Sequence, residues 1–180
     1  MKKIIFTGLN EQQVSTYFDL CLELGYEVSL LKKEDLNKTF QEVIDHVEHS
    51  NCDLQYEYSF MFISGLSQDE LMKLLDLFNQ AKLPFDGIKV MATSHNVKWM
   101  MKDIMEETIQ EHKMMKKVYE LDSLLRSCNE IPFDSLDESI KQDVMNEVMA
   151  AYVLMKSQNF TNENLDLAIK NLKDVLKTCL

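Results

Sequence analysis

Apolar positions along the first ninety residues alternate between two rhythms. Lys3–Thr7 is a short run of β-branched and aromatic residues, which predicts a strand. Over Asn10–Leu24 the apolar side chains recur at Val14, Tyr17, Phe18, Cys21 and Leu22, the spacing of a helix with one buried face. Gly25 suits the position just past its end. Tyr26–Leu31 reads as a second strand, Glu34–Glu48 as an amphipathic helix carrying Leu36, Phe40, Val43, Ile44 and Val47, and Ser50–Glu57 as a polar loop. The rhythm then restarts. Tyr58–Ile63 predicts a strand, Ser67–Lys82 a helix with Leu71, Leu74, Leu75 and Phe78 inside, Leu83–Gly87 a turn, and Ile88–Ala92 a strand.

After Ala92 no further strand pattern appears. Val97–Ser127 predicts one long helix with a broad stripe that includes Val97, Met101, Ile104, Met105, Met115, Val118 and Leu125. Such a helix would be roughly 45 Å long at the standard rise. Pro132 stands in a linker, and Ser135–Lys156 and Thr161–Cys179 read as two more helices. Five methionines, Met100, Met101, Met105, Met114 and Met115, crowd the long helix. Neighbours in a helix diverge by about 100°, so one face cannot bury them all; some must meet the C-terminal helices or a partner chain.

The restart has a fixed offset. Aligning Gly8 with Gly65, an offset of 57, also pairs Val14 with Leu71, Asp19 with Asp76 and Leu20 with Leu77. This reads as an internal duplication of a β-α-β unit, with repeats at about 1–48 and 58–95. The phrases Gly-Leu-Asn-Glu-Gln-Gln at 8 and Gly-Leu-Ser-Gln-Asp-Glu at 65 have the grammar of a helix start. Asn10 and Ser67 are N-caps, Gln13 and Glu70 are their capping-box partners, and Leu9/Val14 and Leu66/Leu71 are hydrophobic staples. A phosphate loop would need more glycines and a lysine at the helix start, and neither is present. The expected fold class is therefore α/β (α+β): a small sheet of about four strands from two β-α-β units over 1–95, then an all-helical region over 96–180 that packs on it or mediates self-association.

Charge narrows the partners. The formal net charge is −11, which repels phosphate backbones, so nucleic acid and anionic membrane are not expected. The densest basic cluster, Lys113, Lys116 and Lys117, is flanked by Glu111 and Glu120 and reads as a solvated helix face. No apolar run approaches the length of a membrane span, and the N-terminal apolar stretch is too short for a signal peptide. The four cysteines are scattered without a C-x-x-C pair. Cys21 and Cys179 fall on apolar helix faces and read as buried thiols, consistent with a reducing cytoplasm.

Candidate chemistry concentrates where the fourth strand ends. Thr93, Ser94, His95 and Asn96 leave a strand and open a helix, where α/β folds often bind ligands and where amide groups favour an anion. Lys89 or Lys98 would add charge, and Trp99 a ring. The bland reading of the same stretch is that Ser94 or Asn96 caps the helix while Trp99 packs on the sheet. His46, His49 and Cys52 form the single metal-like spacing, with no second ligand pair in sequence; exposed histidines at a helix end are the simpler account. Glu106, Glu107, Glu111 and His112 do not make a Glu-x-x-His pair. No nucleophile elbow, metalloprotease helix or dinucleotide fingerprint is present, so no cofactor is expected.

Phe62-Ile63-Ser64-Gly65-Leu66-Ser67-Gln68-Asp69-Glu70-Leu71, followed by Gly87–Trp99 and then Glu106-Glu107 and Glu111-His112, resembles the DUF3783 family of bacterial proteins. The family pattern is a strand, a Gly-Leu/Phe-Ser helix start, a second strand, then Thr-x-x-Asn-x-x-Trp and an acidic helix ending near Glu-His; its Thr, Asn and Trp fall on Thr93, Asn96 and Trp99. The match spans about 58–112, with a related segment upstream at 1–48, and leaves out the helices from 133 onward. The family carries no assigned activity, so the resemblance implies none. The expected function is a non-catalytic interaction or regulatory module whose partner is a protein, including a second copy of itself. The alternative is a site for a small anionic ligand, or an enzyme, at 93–99.

Overall fold

A four-stranded sheet in the order β2-β1-β3-β4 organises the first part of the chain. The computed structural model describes residues 2–46, 56–129, 131, 133 and 136–179. The chain divides into two compact units, Met1–Ile109 and Gln110–Leu180. The elements are β1 (Lys3–Thr7), α1 (Glu11–Glu23), β2 (Glu27–Leu30), α2 (Phe40–Asp45), β3 (Phe60–Ser64), α3 (Gln68–Gln80), β4 (Ile88–Met91), α4 (Met101–Cys128), α5 (Glu138–Ser157) and α6 (Asn162–Lys177). The α+β class is the one expected, with a mixed sheet followed by helices alone.

β1 runs parallel to β2, β3 runs parallel to β4, and the two central strands β1 and β3 are antiparallel. Their register pairs Ile5 with Phe62, Lys3 with Ser64 and Thr7 with Phe60. At the offset of 57 read from the sequence, Ile5 corresponds to Phe62 itself. Each residue of the central pair therefore faces the counterpart of its mirror position, as a two-fold axis through Ile5 and Phe62 requires.

The two faces bury different helices. α1 and α3, each 13 residues long, share one face over Ile4, Phe6, Met61 and Ile63. Tyr17 and Leu74 correspond at the same offset, as do Cys21 and Phe78, and all four are buried. Tyr17 centres this layer, 4.5 Å from the Phe78 ring and 5.5 Å from the Phe6 ring. The other face carries Ile5, Phe60, Phe62, Ile88 and Val90 under α2 and the first turns of α4. From β2 onward the correspondence shifts to an offset of 61, because the α3–β4 connection is four residues longer than α1–β2. It then pairs Phe40 with Met101, Val43 with Ile104 and Ile44 with Met105, all buried in one cluster. The start of α4 thus completes the first unit, which is why that unit runs past 95 to Ile109.

Both helix starts are as expected. Asn10 accepts from the Gln13 amide at 2.9 Å while Gln13 accepts from the Asn10 amide at 3.0 Å. Ser67 and Glu70 make the same reciprocal pair. Gly8 and Gly65 precede these caps with φ of 72° and 75°.

Two helices start later than their apolar spacing suggests. Glu34–Glu48 is not one helix. Lys33–Asn37 is a 3-10 turn, Lys38 is extended, and α2 begins at Phe40; residues 47 and 48 lie outside the described residues. Likewise Asn96–Lys98 is a 3-10 turn, Trp99 is extended, and α4 begins at Met101 rather than Val97. The cause is shared. The Phe40 amide donates to the Trp99 carbonyl at 3.0 Å and the Met101 amide donates to the Lys38 carbonyl at 2.9 Å. Thr39 and Met100 thereby form an antiparallel bridge. An amide committed across the fold cannot also close a helical turn.

Lys3 marks where the two halves differ. Its ammonium is buried and donates to the carbonyls of Ile44 and His46, both at 2.8 Å, and of Val43 at 3.3 Å. These are carbonyls left over where α2 ends. The counterpart of Lys3 is Phe60, under a helix that continues and uses its own carbonyls. Burial pulls the Lys3 pKa down, opposed by the Glu27, Asp45 and Asp35 carboxylates.

The second unit is helical. Val118, Leu121 and Cys128 of α4 meet Ala151 of α5 and Leu165, Ile169 and Leu172 of α6 in one core. Lys117 pairs with Asp166, Lys173 with Glu120, and Asn171 donates to Glu147 at 3.0 Å. Of the crowded methionines, Met101 and Met105 are buried in the first unit, Met114 packs beside the second core, and Met115 is exposed. Cys21 is buried, which pushes its thiol up to about 12, whereas Cys179 is only half-buried and Cys128 is the buried thiol of this unit.

Gly8→Ala should cost about 2–4 kcal/mol in urea unfolding, since the new Cβ would stand 2.7 Å from the Tyr58 carbonyl at positive φ. Gly25→Ala, at φ 74° in open space, should cost only about 1–2 kcal/mol; equal losses would count against the close approach. Acid titration tests the second cap. The hydrogen bond from Lys2, with those from Ser67, lowers the Glu70 carboxyl from 4.5 to about 2. The unfolded chain therefore binds the extra proton in that window, so stability falls as pH drops from 4.5 toward about 2. Glu70→Gln should flatten this limb, and an unchanged acid profile would refute the assignment.

Candidate functional site

The loop 92–99 begins where β4 leaves the sheet, with the Ala92 amide donating to the Ile63 carbonyl at 2.7 Å. Thr93 and Asn96 close it. The Thr93 amide donates to Asn96 Oδ1 at 2.8 Å and the Asn96 amide donates to Thr93 Oγ1 at 3.1 Å. Asn96 Nδ2 donates to the Met91 carbonyl at 2.9 Å. Both ends of the Asn96 amide side chain are thus bonded to the chain's own backbone. Trp99 is half-buried against the cluster under α2 and α4, and its carbonyl serves the bridge to Phe40.

The remaining predicted residues are placed differently. Ser94 and His95 are exposed, and the His95 ring meets the Trp99 ring edge-on with centroids 5.4 Å apart. Lys89 is not with them. Alternation along β4 puts Ile88 and Val90 on the face that Trp99 packs against, and Lys89 on the other, 5.3 Å over the Phe85 ring. Its Nζ donates to the Gly87 carbonyl at 3.3 Å, and partial burial lowers its pKa. The structure therefore brings Thr93, Asn96, His95 and Trp99 together, and leaves Lys89 out.

The same loop exists in the first half, unseen in the sequence. At the offset of 61, Lys32, Asp35 and Lys38 stand where Thr93, Asn96 and Trp99 do. The Lys32 amide donates to Asp35 Oδ2 at 2.9 Å, as the Thr93 amide does to Asn96. The Lys38 amide donates to the Asp35 carbonyl at 3.0 Å, and the Trp99 amide to the Asn96 carbonyl at 3.0 Å. The residue types differ, so no motif search would pair them; only the shift from 57 to 61 exposes the match. Asp35 is nearly buried and also holds the Lys38 ammonium at 2.8 Å, which raises the Lys38 pKa. Beside it lies a cleft of about 210 Å³, lined by Ser29, Leu30, Lys32, Glu34, Asp35, Lys38, Val43 and His46.

Residues 59–115 match the family model of DUF3783, a domain of unknown function. This segment is similar to the DUF3783 family. The Thr93-x-x-Asn96-x-x-Trp99 spacing thus falls on the loop in which the Thr93 and Asn96 side chains bond the chain's own backbone. The DUF3783 segment takes in β3, α3, β4, the loop and the first half of α4, and no curated protein and no solved structure matches the chain.

Of the metal-like trio, His46 ends α2 with Nδ1 2.8 Å from the Glu42 carbonyl, while His49 and Cys52 lie outside the described residues. Among the described residues no three His, Cys, Asp or Glu side chains are grouped to hold a metal ion, and no helix is long and apolar enough to cross a membrane.

Asn96→Ala strips partners from the Thr93 amide and the Met91 carbonyl. It should cost about 1–2 kcal/mol in chemical denaturation, against less than about 0.5 kcal/mol for Ser94→Ala. An Asn96→Ala protein as stable as the parent would show that the residue is kept for something other than the loop.

Proposed function

We propose that this chain is a non-catalytic interaction or regulatory module of the cytoplasm, acting through protein contacts that include self-association. The observation that carries the reading is where polar and apolar groups are spent. The motif most like a site, Thr93-x-x-Asn96, satisfies its own backbone and sets the bridge between the halves of the sheet. Large apolar side chains meanwhile stand exposed on the helical unit: Met145, Met149, Tyr152 and Val153 on α5, Leu167 on α6 and Tyr119 on α4. Apolar exposure repeated along one helix, as on α5, is the mark of a docking surface. The acidic net charge, −11, disfavours a nucleic-acid partner. The matched offsets across β-α-β-turn-helix support an origin of the first unit by duplication.

The competing reading, a small anionic ligand at 93–99, draws on the exposed His95 beside Trp99 and on Lys98. Thermal shift with a panel of phosphates and carboxylates separates the two. The module reading expects no rise in Tm beyond that given by inorganic salt, and sedimentation velocity that shows association growing with concentration. A rise of several degrees that His95→Ala or Lys98→Ala removes would favour the ligand.

A further inference from the structure

α5 buries Val144 and Ala151 and packs Val148, Leu154 and Met155 against the core of its own unit. Its opposite face is exposed among the described residues. Met145 is 58% exposed, Met149 63%, Tyr152 52% and Val153 58%. Between Asp143 and Lys156 the exposed positions of this helix carry no charge: they are Met145, Asn146, Met149, Ala150, Tyr152 and Val153.

The spacing of this face is that of a paired helix. Glu138, Gln142, Met145, Met149, Tyr152 and Lys156 are all exposed and follow one another at alternating steps of four and three. That is the seam of a two-stranded coiled coil, in which every step keeps the same face toward the partner. A glutamate in the first turn and a lysine in the last also suit the helix dipole, so the end charges have a local reason. The apolar residues between them do not.

The geometry points to a second copy of this chain as the occupant, with the two α5 helices antiparallel about a two-fold axis. This deepens the self-association proposed above and rests on it. Antiparallel pairing sets Glu138 opposite Lys156 of the second copy, Gln142 opposite Tyr152, and Met145 opposite Met149. Met145 then meets Met149, Tyr152 meets the uncharged Gln142, and each end is a pair of opposite charges. Parallel pairing would set glutamate on glutamate and lysine on lysine. The contact is isologous, so it closes at a dimer instead of growing into a filament. With one helix per copy it is a small interface, and the dimer is correspondingly weak.

Sedimentation equilibrium of the full chain over a concentration series tests this, with far-UV circular dichroism and Tm to confirm that each variant is folded. The parent should dimerise, and Met149→Glu should raise the dimer Kd by about tenfold or more. Glu138→Lys and Lys156→Glu should each weaken the dimer alone, because each creates like-charged ends, and should restore it when combined. A dimer untouched by Met149→Glu would overturn the α5 assignment while leaving self-association standing on another surface. A double reversal no better than the single ones would overturn the antiparallel register. A parent that stays monomeric throughout would sink both this contact and the self-association from which it was drawn.

Discussion

The antiparallel pairing of β1 with β3 constrains everything else in the first unit. Both strands are buried on both faces, and their register sets Ile5 against Phe62. Around that pair, α1 and α3 pack on one face and α2 and the start of α4 on the other. The chain segments that cross the second face then meet at the axis. Phe40 and Trp99, Lys38 and Met101 exchange their backbone bonds there. Phe40 also stands 5.6 Å from the Phe62 ring, which ties this crossing to the central pair beneath it.

That geometry gives the Thr93-x-x-Asn96-x-x-Trp99 pattern a physical reason. The chain must turn sharply after β4, stop turning at Trp99, and present a free carbonyl to Phe40. Asn96 achieves the first by accepting from the Thr93 amide and donating to the Met91 carbonyl, and an extended Trp99 achieves the rest. In the first half Asp35 does the same work with a carboxylate and recruits Lys38 as its counter-ion. Two different chemistries at equivalent positions, both serving the backbone, argue that the geometry requires the turn and not one side-chain type.

The halves then diverge for a reason visible in one pair of residues. Lys3 beneath α2 donates to the carbonyls of a helix that ends, while Phe60 beneath α4 packs against one that does not. A buried ammonium is tolerated because several carbonyls surround it and carboxylates lie near. The second unit shows the opposite economy: it closes a small core and leaves the stretch of α5 between Asp143 and Lys156 with exposed positions that carry no charge.

Most of the secondary structure was legible in the chain itself. Strand runs, helical spacing, the two capping boxes and the glycine turns are interactions among near neighbours, so local sequence suffices to specify them. The spacing of Thr93, Asn96 and Trp99 was visible too, and so was the chance that it merely caps a helix. Which strands are adjacent, the extended residues Lys38 and Trp99 that break two helical patterns, the separation of Lys89 from the loop, and the equivalence of Asp35 with Asn96 were decided only by the tertiary structure. Each depends on a hydrogen bond or a packing face shared between the two halves of the sheet. Such partners are remote in the chain, and neither periodicity nor residue type at either position names the other.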